Sequence, residues 1–381
     1  MSERDVDHER DPWALARVAI VGIFVVLVFA VLAVGRTFFI PVITAFLLAL
    51  VFTPLRRALE RWGLPPPGTA VLVTLVLIGL VGVGIVGLSG PASQWIDDAP
   101  TIGAQLSIKL RALQGSAEDL VRATEELRQL AGGGEGEGDG PAVPVGQGGD
   151  WLAAIASTAP MVIAQIVFVL VLTFFIIASG DMFYEKMVRS MSSFSDKRRA
   201  VGIAREIEDS LARYLSAITL VNAGLGVAVG LAMWGLGLPE PLLFGAIAFG
   251  LNFIPYLGAL TGVALATVIA FVSLTDPWMA PIAGGVYFAL TSIEGQFVTP
   301  YVVGRMLKLN TVVVFVAVAF WAWMWSFVGM IIAVPLLVVL RVFAEHLSPL
   351  RPIGEFLSGR DEPPVAPRPA RAAEPDRTAA E

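Results

Sequence analysis

Long stretches without a charged residue constrain the fold of this chain more than any other feature. Charge-free runs cover residues 18–35, 37–55, 62–96, 151–180, 214–239, 241–275, 277–293 and 309–340. A helix of roughly 20 apolar residues spans the ~30 Å hydrocarbon core of a bilayer. Only 15% of the residues are charged, against about 25% in a soluble domain. The pattern predicts an all-α fold, a polytopic transmembrane helical bundle with about eight hydrophobic segments.

The charged residues between these runs indicate which loops lie on which side of the membrane. Residues 97–150 include ten acidic and four basic residues, whereas residues 181–213 include seven basic residues. Because Lys and Arg concentrate in cytoplasmic loops, the first loop is predicted to lie outside and the second in the cytoplasm. No small-residue cleavage site follows the first apolar run, which is therefore interpreted as a retained transmembrane helix.

These assignments divide the chain into units and place both termini in the cytoplasm. The first two transmembrane segments are predicted to form a tight helical hairpin at Arg36 and Thr37. In chain order, the predicted units are a cytoplasmic leader (1–13), transmembrane segments 1–3 (14–96), an external amphipathic helix with a Gly-rich linker (97–150), transmembrane segment 4 (151–180), a cytoplasmic amphipathic helix (181–213) that merges into the next span, a C-terminal transmembrane core (214–345) and a disordered cytoplasmic tail (346–381).

The external segment has a helical apolar pattern of its own. From Leu106 to Ala131, apolar residues recur at alternating spacings of four and three, which is the heptad period. Two interpretations stay open: a coiled-coil seam that binds a partner, or an amphipathic helix that lies on the membrane or on its own bundle. Residues 132–149 contain nine glycines and are predicted to be a flexible linker.

The composition argues against catalysis by this chain. There is no cysteine and there are two histidines, His8 and His346, so thiol chemistry, a zinc protease and a histidine-based triad are not expected. Asp181 has no second intramembrane aspartate with which to share a proton, as an aspartyl protease requires. The sequence has no phosphate-binding loop motif and no basic patch for nucleic acid. We expect no enzyme, no catalytic residue, no metal and no cofactor.

Two charge-free runs in the C-terminal half have the wrong length for a simple crossing. Residues 241–275 and 309–340 are too long for one straight span and too short for two with a turn. The first contains Pro255 and Gly258. The second contains Ser326 and Gly329 near its middle and Pro335 beyond, and Gly329 and Pro335 are the predicted hinge or helix break. Both are predicted to be broken or re-entrant. Re-entrant hairpins are favoured over single crossings because Arg305 and Lys308, which lie between the two runs, then face the cytoplasm.

Glu294, at the end of an apolar run, is the main candidate for function. An ionisable side chain near or within the bilayer is costly and usually faces a cavity, where it can carry a proton or exchange it for a cation. The alternative is that Glu294 lies in interfacial water or pairs with Arg305. The hypothetical substrate or ion pathway comprises Asn252, Pro255, Gly258, Glu294, Gln296, Thr299, Pro300 and Gly304. A helix–helix hydrogen bond is an alternative role for Asn252, and Asn310 is interpreted as a loop or cap residue.

Three motifs in this half carry a family resemblance. They are NFIPYLG (residues 252–258), EGQFVTPYVVG (residues 294–304) and VGMIIAVPL (residues 328–336), with FIP (39–41) and TPL (53–55) earlier in the chain. They resemble the autoinducer-2 exporter-like family of bacterial permeases. The resemblance implies an inner-membrane protein of about eight spans, oligomeric, that exports small molecules. Some members of that family have instead been linked to sodium/proton exchange, so the resemblance leaves the substrate open.

Two hypotheses from different classes follow. The first is a secondary, ion-gradient-coupled transporter of a small solute, with a cation/proton antiporter as a variant and with residues 252–258 and 294–300 forming a site at the membrane midplane. The second is a membrane scaffold or sensor that binds a partner through the external heptad helix. The predicted partners are the lipid bilayer, a small-molecule or ion substrate and further copies of the chain, without nucleic acid.

Overall fold

The fold is all-α, as predicted. A computed structural model describes residues 14–129, 150–180, 182, 185–186, 189, 194–303, 309–346 and 351–357. Within these residues every regular element is helical. The elements are α1 (Ala14–Val34), α2 (Arg36–Val51), α3 (Thr53–Arg61), α4 (Pro66–Gln129), α5 (Asp150–Ser179), α6 (Phe194–Gly235), α7 (Pro241–Leu251), α8 (Leu257–Ser273), α9 (Met279–Ile293), a π-helical turn (Glu294–Val298), α10 (Thr299–Val303), α11 (Thr311–His346) and α12 (Arg351–Leu357). The leader, the glycine-rich linker and residues 358–381 lie outside the described residues.

Several helices have the length and composition of membrane spans. Four pass on both criteria, Pro66–Asp98, Pro160–Ser179, Ala200–Gly235 and Thr311–His346, and the bent pair formed by α1 and α2 is a fifth candidate. In the first two, only 11% of the most apolar window is buried inside the protein. Apolar helices with so little protein contact must be covered by lipid to avoid exposure to water, so this is an integral membrane protein. The eight predicted segments do not all appear as full-length spans, because several are short or bent.

The predicted hairpin at Arg36 and Thr37 is wrong, because α1 and α2 meet at 90°. The helical hydrogen bonding continues through the junction: Gly35 donates to Val31 O (2.8 Å) and Phe39 donates to Gly35 O (3.0 Å). Because these backbone hydrogen bonds continue across the junction, the chain bends there and does not reverse direction as a hairpin would.

Two very long helices run from the membrane region into the adjoining loops. α4 contains 64 residues, or about 96 Å at 1.5 Å per residue, and so joins the third span to the predicted external helix without a break. α6 contains 42 residues and joins the basic amphipathic segment to the next span, as predicted. Side chains of the heptad pattern beyond Arg111 lie outside the description, so the choice between its two interpretations stays open.

Residues 241–275 form a first helical hairpin. Its arms, α7 and α8, have 11 and 17 residues and pack against each other. A Cβ atom added at Gly258 would overlap the carbonyl group of Leu251, so the chain reverses tightly around residues 252–256. At the tip, Tyr256 has φ of 66°, in the region that L residues rarely adopt.

The helix α11 is a second hairpin, although its length and composition would suit a single span. Residues eight apart in an uninterrupted helix are separated by about 12 Å. Nevertheless, a Cβ atom added at Gly329 would overlap the carbonyl group of Trp321, and buried Val318 and Ala333 share one apolar cluster. The backbone is non-helical at Trp325 and Ser326, where the chain turns back. Both predicted broken segments are therefore confirmed as broken.

The helices form two apolar bundles. One joins α2, α3, α4 and α5 through a cluster that includes Leu59, Val73 and Ile177. The other joins α6, α7, α8 and α9 around buried Phe244 and Tyr287. A third cluster, formed by Leu50, Leu211, Leu215 and Val338 with neighbours, connects α2, α6 and the second hairpin.

The predicted disordered tail, residues 346–381, begins too early. Residues 351–357 form α12, which packs against α11. Leu357 is buried, and its carbonyl oxygen accepts a hydrogen bond from the amide of Asn310 (2.9 Å). Buried Leu357 fastens this short helix to the protein, which the proline-rich composition further along the chain obscured. The side chain of Asn310 caps α11 by accepting from the amide of Val312 (3.0 Å), which confirms Asn310 as a cap residue.

Candidate functional site

The two segments predicted to form the site, residues 252–258 and 294–300, lie beside the same part of α6. Asn252, at the tip of the first hairpin, donates a hydrogen bond from Nδ2 to Asn222 Oδ1 on α6 (2.8 Å). On the turn that includes Asn222, Val221 and Leu225 line a cavity that also contains Glu294. Asn252 and Glu294, 42 residues apart in the sequence, are thus both placed beside the same turn of α6.

Asn222 is a functional candidate that the sequence analysis missed. Its side chain is fully buried, and its Nδ2 atom has no hydrogen-bond partner among the described residues. If both amide groups were turned over, Asn222 would donate to the Asn252 oxygen, and the Asn222 oxygen would then lack a partner instead. A buried amide left partly unpaired is costly. The available signal was an isolated Asn within the charge-free run 214–239.

Small residues allow the first hairpin to approach α6 closely enough for this contact. A Cβ atom added at Gly226 would lie 2.7 Å from the carbonyl oxygen of Gly245, and one added at Gly230 would lie 3.3 Å from the carbonyl oxygen of Pro241. Close backbone approach at glycine is typical of helix pairs in lipid. The contact places the arm α7 along the C-terminal half of α6 and the tip beside Asn222.

Glu294 begins the π-helical turn between α9 and α10. Pro300 explains the irregular backbone, because proline has no amide hydrogen and its ring would clash with the carbonyl group four residues before it. The wide turn brings the hydroxyl group of Thr299 to Glu294, where it donates a hydrogen bond to Oε1. Thr299 therefore holds the carboxylate in place, and the two predicted residues act as a pair.

Beside Glu294 lies a cavity of about 360 Å³. One wall is formed by α6, through Leu220, Val221, Gly224, Leu225 and Ala228. The opposite wall is formed by the end of α9 and the residues that follow it, including Ile293 and Val298. Among the lining residues, Glu294 alone has a charged or polar side chain. Glu294 is partly exposed and is the one ionisable residue of this lining, so it is the position at which a proton or a cation would be held.

The remaining predicted pathway residues lie in two places. Some are at the tip of the first hairpin, and the others are in or just after the π-helical turn. Pro255 and Gly258 form the tip, where Gly258 is buried and required by the close approach to Leu251. Gln296 and Pro300 are exposed and do not line the Glu294 cavity. Gly304, like Arg305 and Lys308, lies outside the described residues.

The structure places the break in the second hairpin at Trp325 and Ser326 and not at the predicted hinge residues. Gly329 and Pro335 have helical backbone angles; Gly329 instead provides close contact between the two arms. Trp325 is buried and donates from Nε1 to Leu32 O (3.0 Å). The tip of the second hairpin is thus inserted against α1 and α2.

Lys109 connects the predicted external part of α4 to the first hairpin. Its Nζ atom lies 2.6, 3.0 and 3.3 Å from the carbonyl oxygens of Phe271, Val272 and Leu274, at the C-terminal end of α8. A cation at this end satisfies carbonyl groups that have no partner within the helix and interacts favourably with its dipole. Trp95, which precedes Lys109 in the same helix, packs edge-on against Phe244, with 5.1 Å between the ring centroids. Nothing in the sequence indicated the docking of Lys109.

On the opposite side, α3 is attached to α6 by charge. Arg57 Nη2 lies 2.6 Å from Asp209 Oδ1 and 3.4 Å from Glu208 Oε1. Partial burial alone would lower the pKa of Arg57, but the hydrogen bonds and charges of Asp209 and Glu208 outweigh it and raise the pKa. In the described part of the chain, no group of three or more acidic or histidine side chains could hold a metal ion.

Comparison with known proteins supports transport. Residues 22–348 match the model of the family described as AI-2E family transporter. The chain is 34% identical over 167 residues to "Putative transport protein YrrI" of Bacillus subtilis, covering 44% of this chain and 47% of that protein. It is 28% identical over 178 residues to "AI-2 transport protein TqsA" of Escherichia coli, covering 46% and 49%. It is also 28% identical over 328 residues to "Putative transport protein MT0215" of Mycobacterium tuberculosis, covering 85% and 86%. The first two matches span about half the length of those relatives.

Proposed function

This chain belongs to the AI-2E family of transporters, and on that premise we propose that it moves a small solute across the bacterial inner membrane by secondary, ion-gradient-coupled transport. The observation that carries the proposal is the convergence on one turn of α6: the Asn222–Asn252 hydrogen bond lies there, beside the cavity that holds Glu294. Transporters place their sites at broken helices near the middle of the membrane.

The position of Asn222 along α6 supports a site near the midplane. Asn222 is 13 residues from the end of α6 at Gly235 and eight from Tyr214, where the charge-free run begins. At 1.5 Å per residue these separations are about 20 and 12 Å. The polar pair is therefore far from both ends of the apolar part of this helix.

The two hairpins approach this level from opposite ends of α6. The first hairpin begins at Pro241, just beyond the end of α6. The base of the second lies beside the start of α6, where His346 Nε2 is 3.2 Å from Glu206 Oε2. Ile254, at the tip of the first, packs against Val318 and Ala333 in the second. This arrangement supports two opposed re-entrant hairpins, the first open to the outside and the second to the cytoplasm, with both termini cytoplasmic.

Glu294 is proposed to couple transport to the ion gradient. Its apolar surroundings favour a neutral site, so that a proton or a cationic solute must bind before the cavity can change sides. The Asn222–Asn252 pair is proposed to fasten the tip of the first hairpin while Glu294 is occupied. Residues 252–258 and 294–300 together then form the pathway.

Flux measurements in proteoliposomes test this proposal. Wild-type protein and the Glu294→Gln variant are compared under imposed proton and sodium gradients, with a panel of solutes that includes autoinducer-2, the solute in the name of TqsA. We expect gradient-driven uptake by the wild type and at least a tenfold loss in Glu294→Gln, since the amide cannot exchange a proton. Glu240→Gln is the matched control, because Glu240 lies at the end of α7 outside the cavity.

Equal flux in wild type and Glu294→Gln would contradict the coupling role of this residue. Absence of flux for every solute, with the protein shown to be folded and oriented, would favour the scaffold hypothesis. The contacts of Lys109 and Trp95 argue that the external helix serves the transport core. We therefore expect that deleting residues 113–131, which leaves Lys109 in place, preserves flux. Homo-oligomerisation is also part of the proposal, and the mass of the detergent-solubilised protein tests it.

A further inference from the structure

We infer that the Glu294 cavity binds a monovalent organic cation with an apolar body and releases it in exchange for a proton. This inference rests on the proposed function, since it names the class of solute that the same site carries. It is drawn from the chemistry of the walls, from the number of oxygen atoms offered and from the surface onto which the cavity opens.

The walls select for an apolar body. The cavity of about 360 Å³ lies within the range of small-molecule sites, roughly 300–1,000 Å³. Every lining residue other than Glu294 has an apolar side chain or none. A solute with many hydroxyl groups would leave most of them without hydrogen-bond partners, which disfavours its binding. A hydrocarbon body would instead be well accommodated.

The oxygen atoms are too few for a small inorganic cation. Hard cations in proteins replace their water shells with several oxygen ligands, typically six or more for calcium and magnesium. Here the described side chains offer the carboxylate of Glu294 and the hydroxyl group of Thr299, which already donates to that carboxylate. An organic ammonium ion holds its water weakly, so one carboxylate and an apolar wall are enough for it.

A single carboxylate makes the cation and the proton compete. The ionised form of Glu294 attracts the cation, whereas the protonated form does not. The site therefore exchanges one for the other: a proton leaves Glu294 when the cation binds, and a proton returns when the cation leaves. The hydrogen bond from Thr299 occupies Oε1 of Glu294, which leaves Oε2 as the oxygen that can bind the exchanging ion.

The cavity also opens towards the outer apolar surface of the bundle. Leu220 and Ile293, on its two walls, are 72% and 53% exposed. In a membrane this surface faces lipid, so amphipathic cations that have partitioned into the bilayer can enter sideways. Gly224, in the wall between them, has open space where a Cβ atom would lie, which makes it a suitable position at which to fill the cavity.

The first experiment measures binding of benzyltrimethylammonium to the purified full-length protein in detergent by titration calorimetry. We expect the affinity to rise with pH by up to about tenfold per unit, with one proton released for each cation bound. Glu294→Gln should bind at least about thirtyfold more weakly at high pH and without proton release. Neopentylbenzene, the uncharged isostere, should bind wild type and Glu294→Gln equally, which also shows that the variant is folded.

A second variant tests the cavity independently of charge. Gly224→Leu should abolish binding of both benzyltrimethylammonium and neopentylbenzene, because its side chain fills the space. Gly285→Leu is the control, since Gly285 is exposed on α9, has open space around it and does not line the cavity. Unchanged binding in Gly224→Leu would overturn the assignment of the cavity.

Other outcomes separate this inference from the proposed function. Equal benzyltrimethylammonium binding by wild type and Glu294→Gln, or its displacement by equimolar sodium, would overturn the organic-cation site. Glu294-dependent flux of another solute without cation binding would also overturn it, while leaving the proposed transport intact. Glu294-dependent cation binding without any gradient-driven flux would support the site and contradict coupled transport.

Discussion

The two helical hairpins reverse in the same way but are fastened differently. In both, a glycine on the returning arm contacts a backbone carbonyl of the outgoing arm: Gly258 with Leu251, and Gly329 with Trp321. The tip of the first ends at a polar contact, where Asn252 meets the partly unpaired Asn222. The tip of the second is packed among aromatic and aliphatic residues of α1 and α2.

This difference indicates which hairpin can move. The first tip is held by Ile254, which packs against Val318 and Ala333, and by an asparagine hydrogen bond of a kind that contributes only about 0.6 kcal/mol on average in lipid. The second tip would have to leave the larger apolar cluster around Trp325. Each tip also holds a non-glycine residue at positive φ, Tyr256 at 66° and Ser326 at 52°, with a strain of about 1–3 kcal/mol. We expect the first hairpin to be the gate and the second to be the fixed partner against which it closes.

The largest expected effect is a loss of stability when the glycine at the contact between the two arms of either hairpin is replaced. Gly258→Ala and Gly329→Ala each place a Cβ atom onto backbone that cannot move aside. Each should lower the free energy of unfolding by about 3 kcal/mol, the upper end for overpacking. The free energy of unfolding is measured by titrating the protein with dodecyl sulfate in mixed micelles. Gly285→Ala, in open space, should have no destabilising effect, and a similar loss there would contradict the close-approach argument.

A smaller loss of stability is expected in the first hairpin but not in the second when Lys109 is replaced. Lys109→Met removes three charge-assisted hydrogen bonds to the end of α8, which we expect to destabilise that end by about 2 kcal/mol. Hydrogen exchange should therefore accelerate roughly thirtyfold in residues 266–274 and stay unchanged in α11. Arg111→Met, on the exposed surface of the same helix, is the control. Equal acceleration in both hairpins would mean that the external helix stabilises the whole protein and not this gate.

The smallest expected effect concerns the tip of the first hairpin. A double-mutant cycle with Asn222→Ala and Asn252→Ala should give a coupling energy of about 0.6–1.7 kcal/mol. Because the chain has no cysteine, a cysteine introduced at exposed Tyr256 can be labelled alone. Breaking the asparagine pair should increase its labelling rate, whereas Trp325→Phe should not. A coupling energy of zero would remove the pair as the fastening of the gate.

Much of the candidate site could be proposed from the sequence, because its residues are exceptions in an otherwise apolar chain. In a chain of apolar runs, Asn252, Pro255 and Glu294 are polar or helix-breaking residues that a bilayer tolerates only with compensation. The pairing of Glu294 with Thr299 follows from Pro300 and the π-helical turn, both local in the chain. Asn222 was visible as a polar residue in an apolar run but had no second signal beside it.

The sequence by itself determined the membrane helices, their approximate limits and the two broken segments, because hydrophobic length and helix-breaking residues act locally. The tertiary structure alone decided the bend at Gly35, the reversal at Trp325 and Ser326, the partner of Asn252 and the docking of Lys109. Each of these depends on which surfaces meet across many residues. Hydrophobicity in lipid does not specify such contacts; glycine packing and single hydrogen bonds do.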